Sequence, residues 1–176
     1  MDIETLKGDI EAWQPVKWDS MPDIELYMDQ VVTYLERQLA LFQGENEGGI
    51  VTRSIINNYV KDGLVPRPVN KRYAREQLSA LMMACVLKRV LPMQQVRQLL
   101  SAGSQEGYAA FSGSLKQALV REAEQLQEKD DGSLKELALH YALRAAASCL
   151  MADRLLAMAG QEEAAKKEEK KDRTGK

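Results

Sequence analysis

Val51-Thr52-Arg53-Ser54-Ile55-Ile56-Asn57-Asn58-Tyr59-Val60-Lys61-Asp62-Gly63-Leu64-Val65 spells a short amphipathic helix with its own start and stop signals. Thr52 supplies a capping oxygen for the first free amides. Ile55, Ile56, Tyr59 and Val60 recur at helical spacing and form one apolar side, while Arg53, Ser54, Asn57, Asn58 and Lys61 face outward. Gly63 stands where a helix end favours the left-handed conformation that glycine accepts. Leu64–Tyr73 (LVPRPVNKRY) holds two prolines and cannot continue as helix, which predicts a short extended hairpin or wing. A further helix is predicted from Ala74 to about Val90, with Leu78, Leu81, Met82, Cys85, Val86 and Leu87 inside, and Pro92 restarts a shorter one over Met93–Leu100.

Upstream, residues 1–20 read as an irregular acidic lead with Trp13 and Trp18 as packing anchors around Pro15. From Asp23 to about Phe42 the residues Ile24, Tyr27, Met28, Val31, Leu35, Leu39 and Phe42 recur at three- and four-residue steps, predicting one buried helix face. The polar, glycine-rich run Gln43–Gly49 must end it. Downstream, two longer helices are expected, Gln105–Glu128 with the stripe Phe111, Leu115, Leu119 and Leu126, and the alanine-rich Leu134–Ala159. Lys129–Ser133 is the turn between them, and residues 161–176 form a lysine/glutamate tail expected to fray or be disordered. The expected division is thus 1–20, 21–102, 103–160 as a C-terminal helical hairpin suited to dimerisation, and 161–176.

The chain of 176 residues carries a formal net charge of only −2, but the charge is unevenly placed. Residues 1–49 hold three basic and eleven acidic side chains, whereas 50–100 hold nine basic (Arg53, Lys61, Arg67, Lys71, Arg72, Arg75, Lys88, Arg89, Arg97) and two acidic, a net of +7. Such a segment concentrates polyanions by attraction and counterion release. The alternative is that it docks on the acidic first segment. Cys85 and Cys149 lie inside helical patterns and read as buried thiols suited to a reducing cytosol. The acidic start is not a signal peptide, and no apolar run approaches the roughly 18 residues of a membrane span. A soluble, cytoplasmic protein is expected.

A short helix, a glycine turn, a proline-containing wing and another helix form a DNA-reading layout. Asn57 and Asn58 can each hold adenine through paired hydrogen bonds, and Arg53 and Lys61 can hold guanine or phosphate, with Ser54 on the same face. Lys71, Arg72 and Tyr73 would sit on the wing, with Arg67 and Arg75 holding phosphate or the minor groove. The helix start at Thr52 offers free amide donors. The alternative for the paired asparagines is to solvate a surface helix. Tyr59 and Tyr73 are read first as packing residues with the hydroxyl at the edge, phosphate contact being their alternative. His140, the single histidine, is expected to be partly buried and neutral, and the eight methionines to fill the core. No nucleophile elbow, phosphate loop, metal-ligand spacing or acid–base pair is present, so neither catalysis nor a cofactor is expected.

The run VTRSIINNYVKDGLVPRPVNKRYAREQLSAL resembles the winged helix-turn-helix of MerR-type regulators, and the likeness continues through Leu91–Leu100. Met21–Val31, with Ile55–Lys61, resembles the bacterial domain-of-unknown-function family numbered 1836, itself regarded as MerR-like. The resemblance implies an all-α fold with a short two-stranded wing and a sequence-specific binder of double-stranded DNA. A homodimeric transcriptional regulator with an unknown effector fits that expectation. Two departures from the MerR pattern stand out: the Gly/Glu loop before the recognition helix, and the asparagines where arginine and tyrosine are usual. The other open reading is a protein-interaction adaptor that keeps the fold and turns its basic face to an acidic partner.

Overall fold

The computed structural model describes residues 2–44, 49–100, 103–126 and 133–174, with side chains to residue 167. Two compact units are formed, residues 1–129 and residues 130–176. In chain order the first contains α1 (Ile3–Ala12), a 3-10 turn at Trp18–Ser20, β1 (Leu26–Tyr27), α2 (Met28–Gln38), α3 (Arg53–Lys61), β2 (Arg72–Tyr73), α4 (Arg75–Leu87), α5 (Met93–Leu99) and α6 (Gln105–Gln125). The second is α7 (Leu134–Thr174).

Helix α4 is the hub of the first unit. Every residue from Gln77 to Cys85 is buried, and α2, α3, α6 and β2 all pack on it. The sequence QLSALMMAC carries no charge over this span, as a helix covered on all sides requires. Its two polar members are satisfied. Gln77 accepts from Ala74 N through Oε1 (2.9 Å), which caps the helix start, and reaches Arg67 O through Nε2 (3.4 Å). Ser79 Oγ lies 2.9 Å from Glu76 O and 3.0 Å from Gly103 O, tying α4 to the chain that leads into α6.

The sheet is small and antiparallel, pairing Leu26 with Tyr73 and Tyr27 with Arg72. A bridge between Val69 and Arg72 closes the Asn70-Lys71 turn, where both φ angles are positive (50° and 63°). Two positive angles in succession give the tight turn whose twist matches a hairpin, and asparagine tolerates that region well. The wing therefore borrows its partner strand from far upstream. This corrects the helix expected from Asp23. Leu26 and Tyr27 are extended because β2 offers them ladder bonds, so α2 begins only at Met28; its buried residues are Val31 and Leu35, while Ile24 is 67 % exposed.

The expected irregular lead is also corrected, because residues 3–12 form a helix. Asp2 caps it by accepting from Thr5 N at 2.7 Å, a bond that holds its carboxyl below the usual value. α1 packs on α6. Lys116 of α6 donates to the carbonyls of Ile10, Glu11 and Trp13 at 2.8, 2.8 and 2.7 Å, using all three ammonium hydrogens on the carbonyl end of α1. Tyr108 donates to Val16 O at 2.9 Å, and Trp13 meets Phe42 edge to face at 5.5 Å. Helix α6, expected in a C-terminal hairpin, thus belongs with the first unit. The expected loop keeps Gln43, Gly44 and Gly49, residues 45–48 lying outside the described ones, as do 127–132 of the expected turn and the end of its preceding helix.

α7 runs unbroken through the lysine/glutamate tail to Thr174, so of the two expectations for the tail, a fraying helix or disorder, the helix is the one that forms. Alanine, glutamate and lysine are among the strongest helix formers, and Glu–Lys pairs at i,i+4 add to them. His140 is exposed rather than partly buried. Leu139, Leu143, Leu150, Leu155 and Met158 are each more than half exposed.

Gly103 adopts φ +71°, and a Cβ there would stand 2.2 Å from Glu76 O. Gly103→Ala is therefore expected to destabilise the first unit by about 2–4 kcal/mol, combining backbone strain with a clash against main chain that cannot swing aside. Urea unfolding followed by circular dichroism measures it; an unchanged midpoint would show that the α4–α6 junction is not closed in this way.

Candidate nucleic-acid interface

Helix α3 forms as its sequence dictates. Thr52 Oγ1 accepts from Ile55 N at 3.1 Å, so this cap uses one of the amides expected to be free. Ile56 is fully buried and Tyr59 nearly so, facing α4, while Ile55 and Val60 are half-buried. Arg53, Ser54, Asn57, Asn58 and Lys61 are all exposed on the other side. Gly63 takes φ +69°, and Leu64 N and Val65 N both donate to Tyr59 O, at 2.9 and 3.2 Å. That turn drives Leu64 and Val65 into the core and leaves Arg67 exposed beyond them.

The start of α2 joins this helix to the wing. Arg53 forms an ion pair with Asp29. Two residues back, the Tyr27 hydroxyl accepts from Arg72 Nη2 at 2.8 Å and Nε at 3.1 Å, with the guanidinium carbon 5.0 Å from the ring centre. Arg53 of α3 and Arg72 of the wing are thus held through residues of one chain segment, and Lys71 stands exposed at the turn beside Arg72. Helical spacing places Tyr27 on a buried face and assigns Asp29 no role. Their role becomes visible once β1 pairs with β2.

Two expected site residues point elsewhere. Tyr73 is only 3 % exposed, in a β-ladder whose inner side meets α4 and α2, and burial pushes its hydroxyl pKa up. It is a core residue rather than a surface contact. Arg75 is half-buried and donates through Nη2 to Met21 O at 3.2 Å, so its guanidinium is committed to the 21–22 turn. The pattern KRYAR could not distinguish these from Lys71 and Arg72, because only the strand register decides which alternate side chain turns inward.

The acidic first segment meets the basic one through α2 and β1, where Asp29 pairs with Arg53, while its α1 packs on α6 instead. Under the outward face lies a closed apolar layer. Burial pushes the Cys85 thiol from 9.0 up to about 12. Burial first, and the neighbouring Cys85 second, lift Tyr59 from 10.0 to about 12. Among the described residues no cluster of three or more histidine, cysteine, aspartate or glutamate side chains is placed to hold a metal, and no helix is long and apolar enough to cross a membrane.

These features define a mostly helical protein with a two-stranded antiparallel sheet and an exposed polar and cationic face. The chain belongs to the DUF1836 family, a domain of unknown function whose model matches residues 16–118. The match begins after α1 and ends within α6, so it takes in β1, α3, the wing and the whole of α4. No curated protein and no solved structure matches the chain.

The buried Cys85 thiol has a measurable consequence. Below pH 9 it is neutral folded or unfolded, and between its ordinary value of 9.0 and about 12 only the unfolded chain ionises. Stability must fall as pH rises through that window, by up to about 1.4 kcal/mol per pH unit for this group. Urea midpoints at about pH 8 and about pH 10.5 are expected to drop in the wild type and to drop less in Cys85→Ala. Equal drops in the two proteins would show that the thiol is not closed off from water.

Proposed function

We propose that residues 21–100 act as a DNA-binding module of winged helix-turn-helix type, similar to MerR-type regulators, and that the protein is a non-enzymatic transcriptional regulator working in the cytoplasm. The observation that carries this reading is the outward face of α3, with Asn57 and Asn58 at its centre and Arg53 linked through Asp29 and Tyr27 to Arg72 on the wing. An α-helix, about 10–12 Å across with its side chains, fits a major groove about 12 Å wide. The asparagines supply adenine-reading amides, and Lys71 and Arg72 supply cations for the backbone alongside. Arg72 is pre-positioned by Tyr27, which lowers the cost of ordering it on binding. The exposed Arg53–Asp29 pair contributes little to stability, so exchange of the carboxylate for a phosphate or a guanine edge is inexpensive.

We assign the protein a homodimeric state, with α7 as the contact, because its exposed leucines and methionines offer the apolar surface on which a second copy can close. One observation favours the adaptor reading: Arg53 already holds a carboxylate, as a partner's acidic side chain would be held.

Selection from a random duplex library separates the two readings. A regulator yields an enriched motif, which Asn57→Ala and Asn58→Ala alter. Lys71→Asn, chosen because asparagine tolerates the positive φ at that position, weakens all duplexes alike and lowers the salt slope by about one. Absence of any enriched motif at low salt would overturn the regulator and leave the adaptor. For the dimer, sedimentation is expected to give twice the chain mass for the wild type and the single-chain mass for Leu143→Asp/Leu150→Asp; a wild-type monomer with and without DNA would refute it.

A further inference from the structure

A cleft of about 320 Å3 opens where the end of α3, the turn that follows it and α5 meet. Lys61, Arg67 and Arg97 line it together with the apolar Leu64, Pro66 and Leu100. All three cations are exposed side chains, and none of them forms an ion pair among the described residues. Asp62 does not line the cleft.

The end of a helix ordinarily disfavours an anion, because its last carbonyls carry partial negative charge. Here three of the last four carbonyls are occupied. Asn58 O accepts from Asp62 N at 2.8 Å, Val60 O from Gly63 N at 3.1 Å, and Tyr59 O from Leu64 N and Val65 N. Asp62 O takes an N–H of Arg97. The negative pole of α3 is thereby mostly covered, and three cations free of ion pairs among the described residues stand around a concave, partly apolar wall. Such clefts focus the field of their cations. Arg97 uses a single N–H group on Asp62 O, and its remaining donors are available for a forked bond to an oxyanion.

We propose that this cleft is a phosphate-binding site, with Lys61 and Arg67 supplying charge and Arg97 fixing the oxyanion. The phosphate belongs either to a duplex backbone beside α3 or to a small phosphorylated molecule whose body lies against Pro66 and Leu100. The first form rests on the DNA reading above; the second stands without it. Arg97 gains its place only from the fold, since it lies far along the sequence from the α3 segment it joins.

The test uses the full chain, with pyrophosphate as the probe in amide chemical-shift titrations and a mixed-sequence duplex in anisotropy measurements across a salt series. The variants are Arg67→Glu, whose guanidinium makes no hydrogen bond among the described residues; Arg97→Gln, which keeps a donor for Asp62 O; and Lys17→Gln, an exposed cation outside both the cleft and the proposed DNA face. Saturable shifts at residues 61–67 and 97 are expected, weakened about tenfold or more in the first two variants and unchanged in Lys17→Gln. No pyrophosphate binding, with the duplex salt slope lowered by about one in both cleft variants, identifies the phosphate as that of DNA and supports the site in that form. Pyrophosphate binding with no duplex binding by any protein removes the DNA reading and keeps the site. Wild type and both cleft variants behaving alike toward both probes overturns the proposal.

Discussion

The burial of α4 on all sides is the constraint on which the rest of the first unit depends. A helix without a solvent face cannot stand alone, so α2, α3, α6 and the β2 strand are each required to cover part of it. The cover is close enough that its two polar side chains must each find partners. Gln77 finds them at the helix start and on the wing segment, and Ser79 finds them at the entry to α6. Two hydrogen-bonding residues inside an otherwise apolar helix therefore fix where the wing leaves and where α6 arrives. An unpaired amide or hydroxyl at either place would cost about 1–3 kcal/mol.

From that hub the outward face follows. α3 lies on α4 through Ile56 and Tyr59, which leaves the opposite side of a short helix free for polar residues. β2 reaches α4 through Tyr73, which turns its neighbour Arg72 outward onto Tyr27. One strand pairing of two residues sets both orientations, and it also delays the start of α2 so that Asp29 meets Arg53. The positive segment is thus not a loose tail, and one of its cations, Arg53, is paired with Asp29 of the acidic first segment. It is a shaped surface whose cations differ: Arg75 is held by main chain, Arg72 by a tyrosine, and Lys61, Arg67 and Lys71 stand free of ion pairs among the described residues.

The N-terminal helix illustrates how distant residues complete a local element. At its carbonyl end Trp13 N caps only Asp9 O, and Lys116 of α6 takes the carbonyls of Ile10, Glu11 and Trp13. Tyr108 grips the following extended chain, and Trp13 closes over Phe42.

The sequence by itself determined the helices whose apolar spacing and caps are local: α3 between Thr52 and Gly63, α4 from its uncharged apolar run, and α5 after Pro92. It also determined the chemistry of the outward α3 face, because amphipathic spacing separates Ile56 and Tyr59 from Asn57 and Asn58 without reference to any other element. Membership of the family was legible in the same residues. What only the tertiary structure decided is which members of the basic run reach the surface, since a two-residue strand carries no periodicity of its own and its register is set by a partner more than forty residues away. The same reason placed α1 and α6 together, where the pattern alone had joined α6 to the last helix. An apolar stripe states that a helix must be covered, and only the packed chain states by what.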